Sequence, residues 1–270
     1  MSPLCEQFVV VVPAAGVGKR MQTQCPKQYL TIAQQTILEH TVFKLLSHPL
    51  ITHVVIAISE GDEYFKDTAL SAHSNVSVVH GGAERVDSVL AGLQSINSED
   101  FPWVMVHDAA RPCVSLDDIS ALIEQTQKNN CGGLLAYPVR DTMKKARSVN
   151  TLSINTQPVN SELIKTASIK KEMVETTIER EDLWHALTPQ LYKTNELISA
   201  ISQALENKIT ITDESSAIEY AGFGSLLVEG NGNNIKITRP DDLTLASFIL
   251  SQQNAEHTTS TTHTISQKVK

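Results

Sequence analysis

Near the front of the chain three cations, Lys19, Arg20 and Lys27, stand beside residues with almost no side chain, Ala14, Ala15, Gly16 and Gly18. Small residues let backbone N–H groups come close to an anion, and neighbouring Lys or Arg supply the charge that a polyphosphate needs. The run follows FVVVVP, Phe8 to Pro13, so the loop begins where a strand ends. Two well-known phosphate loops are excluded by the letters. A Walker A loop needs Ser or Thr after its Gly-Lys, and Arg20 stands there; a dinucleotide fingerprint needs a third glycine where Met21 stands. What remains is a cation-assisted loop. PKQY, Pro26 to Tyr29, adds to it, because a proline restricts where Lys27 points.

A second group is WVMVHDAARP, Trp103 to Pro112. A strand ending at His107 would put Asp108 on the carboxyl edge of a parallel sheet, where such sheets bind ligands. A carboxylate there is suited to a divalent cation, and Arg111 to a bidentate phosphate contact. His107 itself reads as a packed strand-end residue. In HGGAERVDS, His80 to Ser88, paired glycines would let a flat ring lie on the backbone, with Asp87 and Ser88 on the helix that follows. Weaker polar signals come at Arg140–Lys145, Glu179–Arg180, Ala186–Gln190, Ile211–Glu214 and Asn234–Leu243. No GxSxG elbow is present, and no cysteine has a clear basic partner. Cations and one metal-ready carboxylate around a phosphate loop fit nucleotidyl transfer to a phosphorylated acceptor. A phosphomonoester is already largely a dianion at neutral pH and needs no general base. The protein's task is then charge neutralisation and alignment.

The elements that must hold these groups follow from the apolar pattern. Strands are expected at 8–12, 53–58, 76–79, 104–107 and 133–139, alternating with helices at 36–48, 62–72, 84–95 and 116–128. Thr36 with Glu39, and Ser115 ahead of two aspartates, mark helix starts. After Val139 the pattern breaks: residues 144–178 are rich in Ser, Thr and Asn and read as an extended arm or flap. The alternation resumes with a helix at 194–206, a strand at 209–211, a helix at 213–221, strands at 225–228 and 235–237, and a last helix from Pro240 to near Ser251. The expected fold is α/β: one doubly wound, mostly parallel, Rossmann-like sheet with a protruding β-arm. Its core takes residues 1–138 and 182–251, the arm 139–181, and a disordered tail 252–270. The net charge of −8 argues against nucleic acid, and no apolar run reaches bilayer length. Four scattered cysteines point to reduced thiols and a cytoplasmic protein rather than a disulfide or zinc framework.

In order, PAAGVGKRM, PKQY, GGAERVDSV, VHDAARP, PVRDTMK, LWHALTPQ, TDESSAIEY and NIKITRPDDL resemble the 2-C-methyl-D-erythritol 4-phosphate cytidylyltransferases of the non-mevalonate isoprenoid pathway. The resemblance spans about Phe8 to Leu250. It implies transfer of CMP from CTP to methylerythritol phosphate, with Mg²⁺ or another divalent cation and release of pyrophosphate. By position it makes Arg20 and Lys27 the transition-state stabilisers, and Arg180 and Lys236 the residues that hold the acceptor phosphate. Asp108, Arg111, Thr142 and Thr188 fall in the acceptor pocket, and Ala14, Ala15, Gly16, Gly18, Lys19, Gly82 and Ser88 in the CTP pocket. It further implies a homodimer in which the arm carries Thr142 and Arg180 to the neighbour's site. The arm is longer than the resemblance leads one to expect, by about 20 residues. Two rival readings are a cytidylyltransferase for another polyol phosphate, such as ribitol 5-phosphate, and a non-catalytic nucleotide-binding protein on the same scaffold.

Overall fold

The computed structural model describes residues 7–16, 25–152 and 168–267. It divides into two units, Met1–Tyr137 with Ala186–Lys270, and Pro138–His185.

The first unit is built on β1 (Phe8–Pro13), whose Phe8 to Val12 are buried on both faces. Two short strands, β2 (Thr31–Ile32) and β3 (Gln35–Thr36), lead into α1 (Ile37–Leu46). This helix starts with the expected reciprocal cap: the Thr36 hydroxyl accepts from the Glu39 amide while the Glu39 carboxylate accepts from the Thr36 amide. There follow β4 (Ile51–Ile58), β5 (Val76–His80), α2 (Arg85–Gln94), β6 (Trp103–Val106), α3 (Leu116–Asn129) and β7 (Gly133–Pro138). Ser115 caps α3 by accepting from the Asp118 amide.

The second unit is an antiparallel hairpin of β8 (Met143–Leu152) and β9 (Ser168–Ile178), with a register shift between Lys145 and Ala146. Polar side chains pair across it, Lys145 with Glu175 and Ser148 with Glu172, while Met173 and Val174 are exposed. The chain continues through β10 (Trp184–Lys193), α4 (Thr194–Glu206), α5 (Glu214–Tyr220), β11 (Leu226–Glu229) and α6 (Pro240–Gln267).

Seven strands form one sheet in the order β11-β7-β10-β6-β1-β4-β5. β1 runs parallel to β4 and β6, β4 to β5, and β11 to β7, whereas β10 is antiparallel to β6. Val10 and Val12 pack with α1 and α3 on one face, through Leu38, Val42, Leu45, Ile119 and Leu122. Val9 and Val11 pack with α2, α4 and α5 on the other, through Val89, Leu93, Leu197, Ile201 and Ile218. Gly92 permits the close approach of α2, since a Cβ there would lie 2.5 Å from Val11 Cγ1. From β1 the chain goes to β4 on one side, and β6 later returns to β1's other side. The carboxyl ends of β1 and β6 therefore flank the switch point at which such sheets open a crevice.

Four expectations from the sequence are corrected. Residues 62–72 are not one helix but two single turns, Phe65–Asp67 and Ala69–Ala72, separated by an extended Thr68. Side chains take the backbone partners a longer helix would need: Asp62 accepts from the Tyr64 and Phe65 amides, and Glu39 accepts from the Ala69 amide. Residues 209–211 and 235–237 are not strands. The first follows directly on the C-terminus of α4, where the Ile209 amide donates to the Ala204 carbonyl, and the second makes a local bond, Ile235 to the Asn233 carbonyl, and one distant bond, Ile237 to the Ala110 carbonyl, rather than a ladder. The last helix runs on to Gln267 instead of stopping near Ser251, for neither Gly nor Pro occurs between 252 and 267 to break it. Residues 268–270 lie outside the described residues.

Candidate active site

The end of β1 is fixed before any ligand is considered. The Ala14 amide donates to the Ala57 carbonyl, so it stays within the sheet; its own carbonyl accepts from Gln28 and the Ala15 carbonyl accepts from Ser59. Ala14 thus forms wall, and the amides free to turn toward an anion begin after it. Opposite, the HGGAE loop leads into α2. A Cβ on Gly81 would lie 2.6 Å from Ser88 Oγ, and one on Gly82 would lie 2.3 Å from Asp87 Cβ, so only glycine fits at either position. The Gly82 amide donates to the Ser88 hydroxyl, which ties this loop to its helix.

Between the two loops is a cavity of about 360 Å³. It is lined by Pro13 to Gly16, Lys27, Gln28, Gly82 to Arg85, Ser88, Asp108 to Ala110, Lys236 and Thr238. Of the expected site residues it gathers Ala14, Ala15, Gly16, Lys27, Gly82, Ser88, Asp108 and Lys236. Gly18, Lys19 and Arg20 lie outside the described residues. Thr142 and Arg180 belong to the hairpin unit, where the Arg180 guanidinium donates to the Arg140 carbonyl.

Asp108 is the electrostatic centre. One carboxylate oxygen accepts from Arg85 Nε at 3.1 Å; the other meets Lys236 Nζ at 2.8 Å and Arg111 Nε at 3.4 Å. Burial alone would raise its pKa, but attraction to Arg85, Lys236 and Arg111 outweighs burial and holds the group far below the usual carboxylate range. Arg85, at the first position of α2, makes two further bonds to Glu214 at the first position of α5, at 2.7 and 3.1 Å. Lys27 Nζ donates to the Ile237 carbonyl at 3.0 Å, which brings it beside Lys236 in the chain.

Arg111 and Thr188 stand behind Asp108 rather than on the cavity wall. Arg111 donates to the Asn234 carbonyl, and Asn234 in turn donates to the Thr188 carbonyl. His107 is more than a packed strand-end residue. Its Nε2 faces the Arg111 carbonyl and must donate; burial pushes its pKa down to about 4, so the ring is neutral and Nδ1 accepts from the Thr188 hydroxyl. That hydroxyl accepts in turn from the Asp108 amide.

The expectation that Asp108 holds a divalent cation does not fit this arrangement. Three cations already occupy the carboxylate, and among the described residues no group of three or more His, Cys, Asp or Glu side chains could hold a metal ion. Arg85 and Glu214 fall within motifs noted in the sequence but are not among the site residues expected from it. A signal was available: a cation at a helix N-terminus opposes the helix dipole, so Arg85 requires an anionic partner.

The sequence model of the 2-C-methyl-D-erythritol 4-phosphate cytidylyltransferase (IspD) family matches residues 8–158 and 148–252, two segments that overlap at residues 148–158. A relative from Colwellia psychrerythraea with that name is 54% identical over 92% of this chain and 96% of its own. One from Citrobacter koseri with the same name is 52% identical over 90% and 95%. The crystal structure of the Francisella tularensis 2-C-methyl-D-erythritol 4-phosphate cytidylyltransferase superposes with a TM-score of 0.69 at 33% identity, covering 90% of this chain and 99% of that one. A structure titled 4-diphosphocytidyl-2C-methyl-D-erythritol synthase gives 0.70 at 30% identity, covering 92% and 100%. With a cation-rich crevice at the β1/β6 switch point and matches over nine-tenths of its length, the chain belongs to the 2-C-methyl-D-erythritol 4-phosphate cytidylyltransferase family.

Proposed function

We propose that the protein transfers the cytidylyl group of CTP to 2-C-methyl-D-erythritol 4-phosphate, a step of isoprenoid biosynthesis by the non-mevalonate route. An oxygen of the acceptor phosphate bonds to the α-phosphorus of CTP in line. The bond from that phosphorus to the β-phosphate bridge breaks, and pyrophosphate leaves with the electron pair. The dianionic acceptor needs no base, so the protein contributes alignment and positive charge.

Carrying this reading is the meeting of Lys27 and Lys236, from opposite ends of the chain, on one cavity with the glycine loop. In the proposed reaction Lys27 and Arg20 stabilise charge developing at the α-phosphate, and Lys236 holds the acceptor phosphate together with Arg180 from the arm of a neighbouring subunit. Ala15, Gly16, Gly18, Lys19, Gly82 and Ser88 surround the nucleotide, with Ala14 as wall. Asp108, Arg111 and Thr188 form or support the acceptor side, with Thr142 supplied from the arm of a neighbouring subunit. Because Asp108 is committed to three cations, Mg²⁺ or another divalent cation has a place here only as a counter-ion of the triphosphate, not as a ligand of that carboxylate.

We further propose a cytoplasmic homodimer assembled through the hairpin, whose exposed Met173 and Val174 find no cover within their own unit. Among the described residues no helix is long and apolar enough to cross a membrane. The test is pyrophosphate release with CTP and a panel of acceptors. Methylerythritol phosphate should be preferred by a wide margin in kcat/KM; preference for ribitol 5-phosphate, or CTP binding without turnover, would overturn the proposal.

A further inference from the structure

Among the described residues, Arg85 and Glu214 form a strong charge pair at this cavity for which the proposed reaction has no use. Glu214 is 2% exposed, an expensive place for a carboxylate unless its charge does something there. Its two oxygens take both terminal nitrogens of Arg85, which fixes the plane of the guanidinium and leaves Nε aimed at Asp108 Oδ1. The second Asp108 oxygen is then the one that meets Lys236 at 2.8 Å. From these contacts we infer that Arg85 and Glu214 are positioning residues: they set the rotation of the Asp108 carboxylate and, through it, the place of the Lys236 ammonium that receives the acceptor phosphate. The inference rests on the acceptor side of the proposed function, to which Lys236 belongs.

Geometry separates this role from two simpler ones. If Arg85 acted as a direct ligand of the nucleotide phosphates, a carboxylate gripping both its terminal nitrogens would oppose that role. If the pair were only a structural strut between α2 and α5, there would be no need for Nε to reach the cavity carboxylate. A lysine at position 85 would keep the charge, but its point-like ammonium lacks the planar fork that takes both Glu214 oxygens while Nε reaches Asp108, so it could not fix the carboxylate's rotation.

The experiment compares Arg85→Gln, Arg85→Lys, Glu214→Gln and the double variant Arg85→Gln/Glu214→Gln with the unaltered protein. Each is assayed for melting temperature and for KM toward CTP and methylerythritol phosphate separately. Arg85→Gln strands a buried carboxylate and should melt lowest; the double variant, with no stranded charge, should recover most of that loss. The acceptor KM should nonetheless stay raised about tenfold or more in all four variants, with the CTP KM changed less than threefold. Recovery of the acceptor KM together with stability in the double variant would reduce the pair to a strut and overturn the inference. So would a rescue by Arg85→Lys, or a lower CTP KM in Glu214→Gln, which would mark Arg85 as a phosphate ligand. If the unaltered protein failed to use methylerythritol phosphate, the proposed function would fall first, irrespective of the variants.

Discussion

Asp108→Asn removes one negative charge that faces three positive ones and leaves the side-chain volume unchanged. Its cost depends on which cation has an alternative. Arg85 keeps both bonds to Glu214, and the Lys236 side chain, 37% exposed, can turn to water. Arg111 has neither option: its side chain is 10% exposed, and its other hydrogen bond goes to the neutral carbonyl of Asn234. A unit charge pair at this separation is worth about 5 kcal/mol at an effective dielectric near 20. Asparagine restores part of that through its amide oxygen, so a loss of about 3 kcal/mol is expected, at the low end for a broken buried pair. In a chain of this size that lowers Tm by about 6–12 °C. The acid side supplies the control. The Asp108 pKa is lower in the folded state than its ordinary 3.8, so the carboxylate's contribution is complete above pH 3.8 and shrinks as pH falls toward the folded value. Denaturation of both proteins at pH 7 and at successively lower pH should show the gap full at pH 7 and narrowing in acid. Equal stability at pH 7, or a gap that widens below pH 4, would refute the assignment of Asp108 as counter-ion of Arg111.

His107 titrates from 6.5 in the unfolded chain to about 4 in the folded one, so the unfolded state takes up the proton first and up to about 3 kcal/mol of stability is lost as pH falls from 6.5 to 4; an imidazole NMR titration with its midpoint near 6.5 would contradict this. Gly82→Ala drives a Cβ to 2.3 Å from Asp87 Cβ, which should cost about 1–3 kcal/mol and raise the CTP KM far more than the acceptor KM; unchanged steady-state constants would show that the loop yields freely. Lys27→Ala should lower kcat by about two to three decades, with a smaller effect on CTP binding; a single-turnover rate equal to that of the unaltered protein would exclude Lys27 from the chemical step.

Much of this site can be read from letters because its parts lie at strand ends. An all-apolar β1 followed by Ala14, Ala15 and Gly16, which have almost no side chain, gives both the strand and the loop; GG before a helix gives the second wall; HD after WVMV gives the carboxylate. The errors have a common physical origin. Residues 62–72 have helical spacing, yet Asp62 and Glu39 take the amides that a helix would use, and Glu39 lies on another element. Ile235 and Ile237 alternate like a strand because they bury against α6 and Ala110, without a neighbouring ladder. Asp108 was legible as a functional carboxylate but not as a counter-ion. Its partners Arg85, Arg111 and Lys236 come from three separate segments, and only the sheet order shows that they converge.

That convergence bears on how the cavity holds positive charge without a ligand. Lys236, Arg85 and Arg111 at one point would repel strongly in a partly desolvated crevice, and Asp108 offsets that repulsion while fixing where each cation points. The three are not equivalent. Arg111 is buried and bonded to backbone, and Arg85 is gripped by Glu214, so neither can change partner without leaving a charge unpaired. Lys236 makes one contact to the carboxylate and faces the cavity, so it can exchange Asp108 for an incoming phosphate at little reorganisation. In the proposed reaction the two arginines, each held by a second partner, therefore hold the anchor, and the lysine with its single contact does the binding. On this division, Lys236→Ala should weaken the acceptor and spare stability, whereas Arg111→Ala, which strands neither Lys236 nor Arg85 but opens a buried cavity beside Asp108, should lower the melting temperature far more than Lys236→Ala does. Equal effects of the two substitutions on melting temperature and on acceptor KM would mean that the cations act as one pooled charge, and that their separate partners do not matter.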